Sequence, residues 1–209
     1  MDGVRPTAVA GMFYPGDAAE LDRMVRGLMA DAGPSEGSAA KAIIAPHAGY
    51  PFSGGVAAQA YARLMPARGT IKRVVLVGPS HRVPFHGLAV TGAKAYASPL
   101  GDVPLDTEGA ARLLALDGVQ ELDAAHAQEH SLEVQVPFLH EVLGGFELLP
   151  VVAGSADAKT VARVLEAEWG GPETVIVIST DLTHFLDYDT ARSWDERTAR
   201  AIEKLAPEE

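Results

Sequence analysis

Apolar positions along this chain follow two rhythms, and each predicts a different element. Three short runs are continuously apolar and β-branched and stop abruptly at a polar, histidine-bearing segment. They are Lys41-Ala-Ile-Ile-Ala-Pro46 before His47, Arg73-Val-Val-Leu-Val-Gly-Pro-Ser80 before His81, and Thr174-Val-Ile-Val-Ile-Ser-Thr180 before Asp181 and His184. Runs of this length closed by turn residues predict strands buried on both faces. Leu88 to Thr91 and Phe146 to Val152 predict two more strands. Elsewhere the apolar residues recur every three to four positions, as Leu21, Met24, Val25 and Leu28 do. That spacing predicts helices over 17–30, 55–65, 107–116, 157–168 and 190–205, with Asp17 and Asp157 placed to cap two of them. Leu132, Val136, Leu139, Val142 and Leu143 form one further apolar helical face, with Pro137 confined to its first turn or to a kink. The segment 96–105, with two prolines, predicts an irregular hairpin at a sheet edge.

Alternating strands and helices imply an α/β fold, a mainly parallel or mixed sheet with helices on both faces. At 209 residues the chain fits one domain, 1–209, and a chain of this size buries roughly 70% of its unfolded surface. In open α/β sheets ligands bind beyond the carboxyl ends of the strands. Three separate strands are thus expected to deliver His47, His81, Asp181 and His184 to one edge. Imidazoles and a carboxylate meeting there are the raw material of a metal or acid–base site.

Composition narrows the chemistry. The net charge of −11 argues against a nucleic-acid or anionic-membrane partner, since either needs a basic patch. The chain contains no cysteine, which removes disulfides, thiolate ligands and a cysteine nucleophile. No apolar run approaches membrane-spanning length and the first residues lack a signal-peptide core, so a cytoplasmic location is the default expectation.

Four segments carry the candidate residues. In Ala45-Pro-His-Ala-Gly-Tyr50 and the glycines that follow, Gly49, Gly54 and Gly55 are read as turn residues admitting a ligand close to the backbone. In Gly78-Pro-Ser-His81, Ser80 and the adjacent Arg82 are weighed as contacts to an anionic or hydroxyl-bearing ligand, against a plain loop in which Ser80 bonds locally. In Thr180-Asp-Leu-Thr-His-Phe185, Asp181 either orients a histidine, ligates a metal, acts as a base or caps a turn, while His184 has no structural task. His130 and Glu133, three residues apart, are candidates for a proton relay or further ligands. His86, His126 and His140 are assigned to the surface or to loop structure.

These motifs carry a resemblance. Met12-Phe-Tyr-Pro-Gly16, Ala45-Pro-His-Ala-Gly-Tyr50, Gly78-Pro-Ser-His81, Glu129-His-Ser-Leu-Glu133 and Ser179-Thr-Asp-Leu-Thr-His184 occur in the order found in the MEMO family, whose bacterial members are called AmmeMemoRadiSam system protein B. The family resembles class III, LigB-type, extradiol dioxygenases in fold, a three-layer sandwich around a central mixed sheet. Those enzymes hold non-haem Fe(II) with two histidines and a carboxylate. The resemblance implies a divalent metal, Fe(II) or copper ahead of zinc, on His47 and His81. It places Asp181 and His184 as catalytic residues in the same pocket, and His130, Glu133, Tyr50 and Ser80 around it. It also implies a small-molecule or peptide ligand and a functional link to AMMECR-type and radical SAM proteins. Two departures accompany it. The eukaryotic relative's third ligand is a cysteine, which this chain lacks, and family members usually continue beyond the helix ending near Leu205. Three readings follow: a metal-dependent redox enzyme of the dioxygenase-like kind, a binding adaptor using the same pocket, and a zinc-dependent hydrolase.

Overall fold

The apolar runs form the centre of the sheet. In a computed structural model, residues 3–35 and 37–206 are described; Met1, Asp2 and the final Pro207-Glu-Glu209 lie outside them. β2 (Ala42–Ala45), β3 (Arg73–Pro79), β4 (Leu88–Val90), β7 (Val119–Glu121), β8 (Glu147–Ala153) and β9 (Thr174–Ser179) make a six-stranded sheet in the order β2-β9-β3-β8-β4-β7. Every neighbouring pair is parallel except β4 with β8, so the sheet is mixed and mainly parallel. β1 (Val4–Arg5), β5 (Ala95–Tyr96) and β6 (Val103–Pro104) make a small second sheet. The expected irregular hairpin is the antiparallel β5–β6 pair of this sheet.

Side chains of the central strands alternate between two apolar layers. Val74, Leu76, Val175 and Val177 face one, packed beneath α1 (Ala18–Ala32), α2 (Tyr50–Ala62) and α5 (Val136–Leu143) through Leu21, Val25, Tyr61, Phe138 and Leu139. Val75, Val77, Leu149, Val151 and Ile176 face the other, beneath α3 (Thr107–Leu113) and α6 (Ala158–Ala167) through Leu113 and Val164. This is the expected three-layer α/β sandwich. Asp17, Asp106, Asp157 and Asp187 each accept a backbone N–H three residues on and start α1, α3, α6 and α7 (Tyr188–Glu203).

α2 begins at Tyr50, not at Gly55. Pro51 sits in its first turn, where no N–H is needed and the fixed φ suits a helix. Gly54 and Gly55 lie inside the helix and line no turn. Gly54 lets α1 approach, because a Cβ there would stand 2.8 Å from Leu28 Cδ1. Pro137 likewise opens α5, preceded by a 3₁₀ turn at Glu133–Gln135. β1, β7 and α4 (Asp123–Ala127), each five residues or fewer, carry too little periodicity to be read from the sequence.

His126, expected at the surface, is fully buried on α4. Its Nδ1 meets the Tyr96 hydroxyl at 2.6 Å and its Nε2 meets the Ala89 carbonyl at 3.0 Å. The carbonyl only accepts, so Nε2 carries the proton and Tyr96 donates to Nδ1. Burial pushes this imidazole down to about 4. An unfolded histidine titrates near 6.5, so between these values the unfolded chain binds a proton that the native chain refuses. Native stability is therefore expected to fall as pH drops from about 6.5 to 4, by roughly 3 kcal/mol from this group. Urea unfolding across that window should show the slope, and His126→Gln should flatten it; an unchanged slope would exclude His126 as its source.

Candidate metal centre

Because β2, β9 and β3 run parallel and adjacent, their carboxyl ends reach one edge in register, with Ala45 opposite Ser179 and Val77 opposite Ile178. The segments that follow carry His47, Asp181 and His81. A fourth segment, between α4 and α5, crosses the same edge and brings His130. The ring centroids of His47 and His81 are 5.1 Å apart, those of His81 and His130 4.5 Å, and those of His47 and His130 5.6 Å. One ligating nitrogen from each of the three lies within 4.8 Å of the others.

Two of the three rings are held from behind. His81 Nδ1 lies 2.8 Å from Glu129 Oε1, and the His81 backbone N–H donates to Glu129 Oε2 at 2.6 Å. A carboxylate only accepts, so Nδ1 carries the proton and His81 presents a bare Nε2. Glu129 is itself buried, with the Ser131 N–H as a further donor at 2.9 Å. Burial works to raise its carboxyl, but the bonds from His81 and Ser131 outweigh this and hold it below the ordinary value. His47 Nδ1 sits 3.0 Å from Ser179 Oγ. Burial is the main cause pushing His47 down to about 4, with His81 and His130 adding to it against the pull of Asp181. Burial also lowers His130, helped by His81 and Arg82 and opposed by Glu129. His47 and His130 are thus neutral near pH 7, the form in which an imidazole binds metal.

Asp181 accepts the His47 backbone N–H on Oδ1 at 2.7 Å. Its Oδ2 stands 3.8 Å from His47 Nε2 and 3.9 Å from His184 Nε2. The His184 side chain is 52% exposed, so it stands at the mouth of the cluster rather than within it. Phe13 packs on His130 with centroids 4.8 Å apart and supplies a wall from the Met12-Phe-Tyr-Pro-Gly16 motif.

Three residues expected around the pocket are engaged otherwise. Glu133 is buried and its two oxygens are filled by Arg5, the Ala8 and Val9 N–H groups and the Tyr14 hydroxyl, which ties the N-terminal segment down. Tyr50 is buried in the core and its hydroxyl donates to the Val134 carbonyl. Ser80 Oγ donates to Val83 O, the local turn bond weighed from the sequence. Glu129 was missed as a ring-orienting residue, although its place beside His130 in the Glu129-His-Ser motif was the available signal. Ser179 was assigned no role, although it opens the Ser179-Thr-Asp-Leu-Thr-His184 motif; Gln135 carried no signal.

The donor set fits a divalent transition metal. Three imidazoles converge, one of them with Nε2 bared by a carboxylate. His130 Nδ1 is buried and has no hydrogen-bond partner among the described residues, an expensive vacancy for a polar atom unless a ligand fills it. The nearest acceptor, Glu129 Oε1 at 3.5 Å, already takes two donors.

Comparison with known sequences bears on this geometry. A family model described as "Memo-like protein" matches residues 5–209. The chain belongs to the Memo family. A MEMO1 family protein of Methanopyrus kandleri is 38% identical over 96% of this chain and 76% of its own length. One from Aquifex aeolicus is 37% identical over 99% of this chain and 77% of its own length. A protein memo-1 homolog of Caenorhabditis elegans is 31% identical over 97% of this chain and 63% of its own length. The three histidines of this Memo-family chain form a group able to hold a metal ion, and no helix among the described residues is long and apolar enough to cross a membrane.

Proposed function

We propose that this chain is a metal-dependent protein in which His47, His81 and His130 hold one divalent ion and Asp181 and His184 serve the ligand beside it. The observation that carries this is the convergence of three imidazoles, of which His130 Nδ1 is buried without a hydrogen-bond partner among the described residues. Bound there, the ion would act as a Lewis acid or redox centre and lower the pKa of a coordinated hydroxyl. The protein's own groups would do the rest. His184, at the mouth, takes the proton of an incoming hydroxyl, and Asp181, 3.9 Å from it, stabilises the imidazolium that results. Asp181 also spans the gap to His47, so a ligand entering between them is positioned against both. Imidazole suits iron, copper and zinc alike, so residue type does not select the ion. We favour a redox metal and a phenolic or other hydroxyl-bearing substrate on the resemblance to extradiol dioxygenases in fold.

Metal analysis of untagged protein prepared without oxygen tests this. About one equivalent of ion is expected, lost in His47→Ala/His81→Ala while the circular dichroism spectrum stays native. Iron together with O₂ uptake on a catechol, reduced in His184→Ala, supports the redox reading. Zinc with ester hydrolysis replaces it by the hydrolase, and metal content unchanged in the double variant overturns the site itself. Ligand binding with no metal at all would favour the adaptor reading.

A further inference from the structure

We infer that Ser179 is a positioning residue that fixes which nitrogen of His47 is bare, because its one hydroxyl proton is committed to the Ser131 carbonyl while Gln135 holds its oxygen in place. The inference deepens the metal-site reading. Three hydrogen bonds decide it. Gln135 Nε2 lies 2.9 Å from the Pro46 carbonyl, which only accepts, so the amide nitrogen must face that side. The same nitrogen lies 2.9 Å from Ser179 Oγ and donates to it. Ser179 Oγ is 2.6 Å from the Ser131 carbonyl, again an acceptor only, so the single hydroxyl proton lies between these two oxygens. Ser179 has then spent its donor and can only accept from His47 Nδ1 at 3.0 Å. His47 therefore holds its proton on Nδ1 and bares Nε2, the nitrogen that stands 3.8 Å from Asp181 Oδ2.

The arrangement matches that of His81, but the partner differs. His81 is turned by a carboxylate, whose two oxygens leave no choice of tautomer. His47 is turned by a hydroxyl, which by itself donates or accepts and so selects nothing. The Ser131 carbonyl removes that freedom by taking the hydroxyl proton, and Gln135, a donor to the same oxygen, holds Ser179 in position. Gln135, Ser131 and Ser179 are all buried, so water does not compete for these bonds. The Tyr61 hydroxyl closes the far end by bonding Gln135 Oε1 at 2.9 Å. Ser131 joins the two supports, because its carbonyl takes the Ser179 proton while its N–H donates to Glu129.

The tautomer is read directly from histidine ring ¹⁵N shifts in metal-free protein at a pH above 7. Wild type is expected to show His47 protonated at Nδ1 alone. Ser179→Ala is expected to admit the form protonated at Nε2 and to weaken Zn²⁺ binding about 10–100-fold, the usual effect of removing such a support, whereas Gln135→Met, which leaves the Ser131 carbonyl in place, should move the tautomer less. Tyr61→Phe also removes a bond to Gln135 but leaves Pro46 holding the amide, so it should lower the melting temperature without moving the tautomer. Protonation at Nε2 in wild type overturns the inference, as does a Ser179→Ala spectrum identical to that of wild type. If Gln135→Met fails to fold, the wild-type and Ser179→Ala spectra still decide. The wild-type spectrum needs no metal, so failure to bind Zn²⁺ would sink the proposed function and leave this result standing.

Discussion

Replacing Arg5 by methionine is expected to destabilise the chain by about 3–5 kcal/mol, the cost of removing one partner from a buried ion pair. Arg5 is fully buried. Its Nη1 pairs with Glu133, its Nη2 donates to the Glu129 carbonyl at 2.6 Å and its Nε donates to the His126 carbonyl at 3.0 Å. Methionine fills much of the volume but leaves the Glu133 carboxylate without its cation and removes the Arg5 donors from the Glu129 and His126 carbonyls, of which His126 keeps the Glu129 N–H at 3.3 Å. The Tyr14 phenol stays protonated and goes on donating to Glu133, because burial and the adjacent Glu133 both push it well above its ordinary value, but it supplies no positive charge. Changing both partners, Arg5→Met with Glu133→Leu, should recover much of the loss, since a buried pair replaced by apolar groups is often nearly neutral. Urea midpoints of the single and double variants measure this. A single variant within 1 kcal/mol of wild type, on the scale of an exposed pair, would show that the cluster admits water.

Glu129→Gln should impair both the stability and the metal affinity of the site. The side chain is the same size, so packing is conserved, but one acceptor oxygen becomes an NH₂. Glu129 receives the His81 N–H, the His81 ring and the Ser131 N–H on its two oxygens. Whichever way the amide turns, a buried donor meets a donor, at a cost of about 1–3 kcal/mol. Loss of the carboxylate also frees His81 to change tautomer and lowers its basicity, which corresponds to about 10–100-fold in metal affinity. Isothermal titration with Zn²⁺ beside a urea curve separates the two effects. Equal affinity in the variant would show that His81 needs no carboxylate behind it.

The edge where the histidines meet was legible because parallel strands end alike. Three apolar runs stopping at polar loops required no knowledge of packing order to place His47 and His81 together. The cap residues Asp17 and Asp157 were legible for a similarly local reason, since an N-cap is a single side chain acting three residues away. What escaped was decided by distant contacts. Gly54 and Gly55 looked like a turn because glycine is a poor helix former, yet both lie inside α2, where a Cβ at Gly54 would stand 2.8 Å from the Leu28 side chain of α1 and require it to shift. Glu133 looked like a pocket residue and His126 like a surface ring, because each finds its partner over a hundred residues away or across the small sheet. Gln135 lies in an amphipathic stretch where a glutamine normally faces water, and only the strand ends above it reveal its three bonds.

The strand order has a consequence for assembly. β9 is inserted between β2 and β3, although it follows them by roughly a hundred residues in the chain. A nascent polypeptide that has emerged only as far as β8 has no neighbour for β2 within the sheet and lacks Ser179, the acceptor that turns His47. Loop-closure entropy makes such distant pairing slow. The three imidazoles therefore converge only when the last central strand docks, and if they hold an ion as proposed, its uptake during refolding would report the arrival of β9, not collapse of the earlier elements.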